Sequence, residues 1–288
     1  MEIGIGLPNA VAGTSGQDLL NWARAAEEAG FSTLGTIDRI VYPNYEPVTA
    51  LTAAAAVTDR IRLATTVMLG PLRRNAALIA KQALSLDAVA GGGRVVLGIG
   101  LGGREDDYAV SRVSLAERGA WQDAALEQIR RIWDGAGEVE AKIGPRPQGQ
   151  GPTLIVGGAV DATFERAGRW GDGWVMGGGP PDQFAGGVEK LAAAWAKHGR
   201  DGEPRKMALA YFSLGPDAEQ NAERYLRDYY GWLGADLSGM IAGSAAKDPD
   251  TVKGYVSAFE SAGCDELVIF PCSNDVDQVG MLAAAMGL

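Results

Sequence analysis

Residues 61–102 read IRLATTVMLGPLRRNAALIAKQALSLDAVAGGGRVVLGIGLG. Residues 61–69 and 94–100 are short apolar runs rich in β-branched side chains. Between them Ile79, Ala83, Leu86 and Ala90 recur on one helical face, and Gly91 follows as a stop. A continuous apolar run suits a strand buried on both faces, and strand–helix–strand in this order is a parallel βα unit. Six more runs of the first kind flank it: residues 3–8, 32–37, 153–158, 172–177, 207–214 and 265–271. Helical patterns fill the gaps. Ser15 and Asp18 form a capping-type start to a helix that Gly30 ends. Leu126, Ile129, Ile132 and Trp133 share a face. Asp248-Pro249 reads as N-cap then N1, with Val252, Tyr255, Val256 and Phe259 as the buried stripe up to Gly263. Val276, Val279, Ala283 and Met286 make a last helix.

Eight strands, each leading into a helical stretch, in 288 residues predict an α/β fold: a single-domain (β/α)8 TIM barrel over residues 1–288. A doubly wound open sheet is the runner-up. The Gly/Pro-rich stretch 135–151 is read as an excursion of the barrel, because strand–helix alternation resumes directly after it. Trp22, Trp121, Trp133, Trp170 and Trp195 fall on predicted helices and are read as packing.

Composition narrows the function. Hydrophobic residues are 47% of the chain and charged ones 22%, which excludes a disordered or fibrous protein. With 26 Lys and Arg against 36 Asp and Glu the net charge is −10, a field that repels nucleic acid and anionic membranes. Cys264 and Cys272 lie far from any CxxC spacing, so a zinc site and a secreted disulfide framework are not expected. No signal peptide is visible at the start, and a cytoplasmic location is the expectation. His198 is the one histidine and reads as a helix end running into a turn. A Ser-His-Asp triad or a three-histidine metal site is therefore excluded.

In a barrel the site lies at the C-terminal ends of the strands. Three of those ends are glycine clusters: 100–103, 157–158 and 177–179. Amides at the helix start after Gly157-Gly158 can hold a phosphate without a basic side chain; an ordinary tight turn explains the glycines equally well. GIGLGG (98–103) matches a dinucleotide fingerprint formally, but polar, loop-like residues REDDYAVS follow it where a helix should open directly. Asp38-Arg39 follows the second strand; either Asp38 accepts from a cofactor ring or hydroxyl and Arg39 donates or clamps an anion, or the two form a surface ion pair or a turn, and the strand-end position favours the first. Tyr42 and Tyr45 follow in an aromatic loop. Arg73-Arg74, Arg104 and the REDD run read as a solvated face, and Glu105/Asp106 does not make a glycosidase pair.

The ordered series 61–102, SLAERGAWQDAALEQIRRIW (114–133) and LIVGG…RAGRWGDGW (154–174) resembles the luciferase-like monooxygenases, a family of flavin and coenzyme F420 enzymes. The resemblance implies a TIM barrel with F420 or FMN across the strand ends and a small organic substrate. It implies a non-prolyl cis peptide at Thr66–Val67. Cofactor contacts then fall on Asp38, Thr66, Val67, Gly100, Leu101, Gly102 and Asp106, with the phosphate at Gly157, Gly158 and Ala159. Substrate contacts fall on Leu7, Tyr42, Gly177 and Gly178, and catalytic roles on Asp38 and Arg39. No metal is expected; a homodimer and a separate reductase are. Two departures stand out: many F420-using relatives carry Asp-His where this chain has Asp38-Arg39, and the sugar-phosphate dehydrogenases carry a carboxylate where Gly103 stands. Sugar-phosphate oxidation is therefore not expected. The expected reaction is hydride transfer between F420, or FMN, and a small substrate. The alternatives are an FMN-dependent monooxygenase using dioxygen and a non-catalytic flavin-binding barrel.

Overall fold

A computed structural model describes residues 1–147, 149 and 151–288. Eight parallel strands close in sequential order: β1 (Glu2–Gly6), β2 (Thr33–Thr36), β3 (Arg62–Leu69), β4 (Val95–Gly100), β5 (Thr153–Gly157), β6 (Gly173–Met176), β7 (Arg205–Phe212) and β8 (Glu266–Pro271), with β8 pairing back onto β1. The runner-up open sheet is thereby ruled out, and with it the dinucleotide reading of residues 98–103. The stretch 135–151 carries a short 3-10 turn, Glu140–Lys142, and leads straight into β5; residues 148 and 150 lie outside the described residues.

Strand period 2 sorts the apolar residues into two layers. Ala64, Val96, Ile155, Val175, Met207, Leu209, Val268 and Phe270 pack together inside the barrel. Leu34, Leu63, Leu97, Leu154, Val156, Trp174, Ala208, Leu267 and Ile269 face outward, onto the helices. Both layers being apolar is why the strands read as continuous hydrophobic runs. Glycines make room for large neighbours: a Cβ at Gly6 would lie 2.2 Å from the Phe270 ring, and one at Gly35 2.8 Å from Val268.

The helix signals hold at Gly16–Glu28, where Ser15 and Asp18 form a capping box, and at Pro249–Ser261, where Asp248 accepts from the Thr251 amide. Two readings are corrected. Val276 is not part of a buried stripe; it precedes the helix Asp277–Met286 and is 39% exposed. REDDYAVS is not a loop, since Glu105–Ser111 is helical, its first turn acidic as the helix dipole favours.

At the N-terminal end of the barrel, Glu266 is fully buried and accepts from the Thr33 hydroxyl (2.6 Å), the Ser32 hydroxyl, Arg62 Nη2 (3.0 Å) and Arg205 Nη2 (2.7 Å). Burial pushes its carboxyl up, but the two guanidiniums outweigh that and hold it below the ordinary value.

Candidate active site

A cleft of about 240 Å³ opens at the C-terminal end of the barrel. Its residues come from two sides. Asp38 and Arg39 follow β2; Thr66, Val67 and Leu69 belong to β3, and Gly102, Gly103, Arg104 and Asp107 follow β4. Leu209 and Tyr211 come from β7; Tyr229, Tyr230 and Trp232 come from the connection between β7 and β8. In an eight-strand barrel closed in sequence order, β3 and β7 stand opposite each other across the mouth.

The β3 side is shaped by one irregularity. The Thr66–Val67 peptide is cis, as expected from the resemblance, and the β3–β4 register shifts between Thr65 and Met68. The Val67 side chain lies against β4 and β5. A Cβ on Gly100 would lie 2.7 Å from Val67 Cγ2, and one on Gly157 2.5 Å from Val67 Cγ1. These two glycines thus make room for Val67. Gly177 and Gly178 differ: a Cβ at either meets nothing within 4 Å.

Asp38 is buried. Its Oδ2 accepts from the Leu69 amide (2.9 Å) and from Arg73 Nη2 (2.7 Å), while its Oδ1 is buried with no hydrogen-bond partner. Burial raises its carboxyl above the ordinary range, and Arg73 and the Leu69 amide offset this only in part. A buried oxygen without a partner is costly in a native protein, and one beside a cleft is within reach of a bound group.

Arg39 is engaged at all three nitrogens: Nε with Asp107 Oδ2 (3.1 Å), Nη1 with the Tyr229 carbonyl (3.2 Å) and Nη2 with the Val41 carbonyl (3.2 Å). Its Cζ lies 5.3 Å and 5.2 Å from the Tyr42 and Tyr229 ring centres. Asp107 also accepts from the Ile40 (3.1 Å) and Val41 (2.6 Å) amides, so it ties the loop after β2 to the helix after β4. The solvated-face reading of this region is corrected: Asp107 is buried and Arg73 is bonded to Asp38, because both face the protein rather than water. Arg74 and Glu105 do lie in solvent.

Asp38, Arg39, Thr66, Val67, Gly102 and Gly177 line this cleft, whereas Leu7, Tyr42, Gly100, Leu101, Asp106, Gly157, Gly158, Ala159 and Gly178 do not. Leu7 is buried. Tyr42 packs edge-on against Tyr229 at 5.1 Å and donates to Asp228 (2.6 Å). Asp106 is surface-facing and bonded to Arg104. Tyr45 is exposed, its hydroxyl donating to the Thr14 carbonyl. His198 caps a helix end against Glu165, away from the cleft.

Ala159 borders a second recess with Phe164, Trp174, Met176, Gln183 and Lys190. Met176 lines this recess, while its neighbour Gly177 lines the first. The helix Asp161–Trp170 starts there without a side-chain cap, and Lys190 is paired with Asp161 at 2.7 Å. Uncapped first-turn amides are a ready anion site. Among the described residues no cluster of His, Cys, Asp and Glu is suited to a metal ion, and no helix is long and apolar enough to cross a membrane.

Sequence reasoning missed Asp107, Tyr211, Tyr229, Tyr230 and Trp232. The aromatic run at 229–232 was the available signal; it sits in a helix-and-turn excursion, and nothing local says that this excursion folds back over the mouth.

The family model of the luciferase-like monooxygenases matches residues 1–263. An uncharacterised protein of Mycobacterium tuberculosis is 38% identical over 193 residues, 56% of this chain and 66% of that protein. The match therefore spans just under two thirds of that relative's length. An F420-dependent glucose-6-phosphate dehydrogenase of Amycolatopsis mediterranei is 33% identical over 178 residues, 55% of this chain and 53% of the relative. Among solved structures, an F420-dependent secondary alcohol dehydrogenase with an F420-acetone adduct superposes with a TM-score of 0.81 at 18% identity, covering 99% of this chain and 97% of that one. The chain belongs to the luciferase-like monooxygenase family and has its barrel.

Proposed function

We propose that this member of the family is an oxidoreductase that binds coenzyme F420 or FMN, F420 being the first candidate, and acts on a small organic molecule. The observation that carries the reading is the lone Asp38 Oδ1, buried at the edge of a cleft that opens at the C-terminal ends of the strands, where barrel enzymes bind their ligands. A ring carrying a hydrogen-bonding edge supplies the partner that this oxygen lacks. The Amycolatopsis relative, named as F420-dependent, supports F420.

The cofactor when bound supplies the hydride chemistry. The chain's part is to hold, orient and dry the site. The Thr66–Val67 backbone and Gly102 give the ring a wall without bulky side chains. The uncapped amides at the start of the helix Asp161–Trp170, with Ala159 beside them, serve the phosphate, and Lys190 adds a cation once released from Asp161. Arg39 is a positioning residue here, since Asp107 and two carbonyls hold it and it in turn fixes Asp38's loop. Leu209, Val67 and Trp232 exclude water.

The test is direct binding. Titration of the purified chain with F420 and with FMN, followed by quenching of cofactor fluorescence, is expected to give a micromolar Kd for at least one. Asp38→Ala is expected to weaken it about tenfold or more, the worth of a hydrogen bond to a charged or acidic group. Saturation by neither cofactor, or unchanged affinity in Asp38→Ala, overturns the reading.

A further inference from the structure

The side of the cleft opposite β3 has a chemistry of its own. The Tyr211 and Tyr230 hydroxyl oxygens lie 2.8 Å apart. Two hydroxyls carry two protons, and their mutual bond uses one. No other protein partner meets either oxygen among the described residues, so the pair keeps one O–H donor and free lone pairs beside the cleft that both rings line. The pair is held firmly. Tyr211 packs edge-on against Tyr230 at 6.0 Å and against Tyr225 at 6.3 Å, and Tyr230 packs edge-on against Tyr229 at 5.0 Å. Burial pushes both phenols up, so they remain protonated at neutral pH and act as donors. Trp232 projects from the same connection; a Cβ on Gly103, after β4, would stand 3.9 Å from its ring, so the indole reaches across the mouth.

The charges around the cleft are already spoken for. Arg39 is paired with Asp107, Arg104 with Asp106 and Asp38 with Arg73. A charged substrate meets no unpaired counter-ion there, while a flat neutral one meets aromatic faces and one hydroxyl pair.

We propose that the Tyr211–Tyr230 hydroxyl pair, roofed by Trp232, is the substrate-recognition element of this protein, and that it takes an uncharged, planar molecule through a carbonyl or hydroxyl oxygen. This rests on the function proposed above only in calling the ligand a substrate; binding is measurable in cofactor-free protein.

Isothermal titration of the whole chain, with and without saturating cofactor, compares three probes of one shape: acetophenone, ethylbenzene, which lacks the oxygen, and benzoate, which carries a charge. Acetophenone is expected to bind about three- to tenfold more tightly than either of the others, the worth of one net hydrogen bond. Tyr211→Phe and Tyr230→Phe, which keep the rings, are each expected to remove that preference and to leave the ethylbenzene and cofactor affinities unchanged; Trp232→Ala weakens acetophenone and ethylbenzene alike. Equal binding of acetophenone and ethylbenzene, tighter binding of benzoate, an unchanged preference in both phenylalanine variants, or binding of no probe overturns the proposal. Failure of F420 and FMN to bind overturns the cofactor reading instead, and leaves the probe titration in cofactor-free protein standing.

Discussion

Two of the buried carboxylates stand at opposite ends of this barrel, and their surroundings differ. Glu266, at the N-terminal end, has four donors on its two oxygens and a carboxyl held below the ordinary range. Asp38, at the C-terminal end, has donors on one oxygen only and a carboxyl pushed above it. The first is a network whose residues all start their strands or stand next to one, and both oxygens of its carboxylate are bonded. The second is left open toward a cleft. In a TIM barrel the lower end serves stability and the upper end chemistry, and under the proposed function the satisfied and unsatisfied carboxylates fall on the two sides of that division. Asp107 refines the comparison: it too lies at the upper end, yet Arg39 and two amides satisfy it, so its role is to hold the loop that presents Asp38.

Glu266→Ala gives the largest expected effect. It leaves Arg62 and Arg205 converging on an empty centre with Glu2 alone to share, and should cost about 3–5 kcal/mol in chemical denaturation. A loss under about 1 kcal/mol would break the comparison at its lower end. Asp107→Ala should behave like Glu266→Ala, at about 3 kcal/mol, because it strands the buried Arg39 guanidinium. It should also weaken cofactor affinity through the loop it releases. Asp38→Asn, in contrast, should unfold within about 1 kcal/mol of the parent or above it, while losing cofactor affinity, since the amide removes a charge that burial disfavours. Destabilisation as large as that of Asp107→Ala would put Asp38 among the purely structural carboxylates.

The smallest effect is in the pH profiles, and the two ends should slope in opposite directions. A lowered folded-state pKa gives stability that is full above the unfolded carboxylate value and is lost in acid. The parent's advantage over Glu266→Gln should therefore shrink as pH falls below 4.5 toward the folded value. A raised folded-state pKa works the other way. The parent should lose ground to Asp38→Asn as pH climbs from 3.8 through the folded value of Asp38. Unfolding of the three proteins measured between pH 3 and pH 7, with parallel profiles for both variants, would show that the two carboxylates titrate alike.

The strands were legible because each is an uninterrupted apolar run bounded by turn residues, and burial on both faces leaves that signature in composition. The helix starts at Ser15 and Asp248 were legible because a cap is a contact within one turn. The helix at Glu105–Ser111 was missed because an acidic first turn before a short, weakly apolar segment looks like a loop until the loop after β2 bonds to Asp107. Of the glycines at the strand ends, Gly100 and Gly157 were expected beside a ligand. The space in front of them belongs to Val67, and that depends on a bend in a different strand.

The barrel and the order of its strands were thus readable from the sequence alone, and so was the placing of Asp38 at the end of β2, because period, capping and strand ends are encoded within a few residues. Which carboxylate is left one partner short, and that three aromatic residues from the β7–β8 connection face β3 across the mouth, only the tertiary structure decided. A hydrogen-bond partner or a facing wall is supplied by chain 30 to 200 residues away, as with Arg39 and Tyr229 (190 apart) or Asp38 and Leu69 (31 apart), and no local pattern records who the partner is.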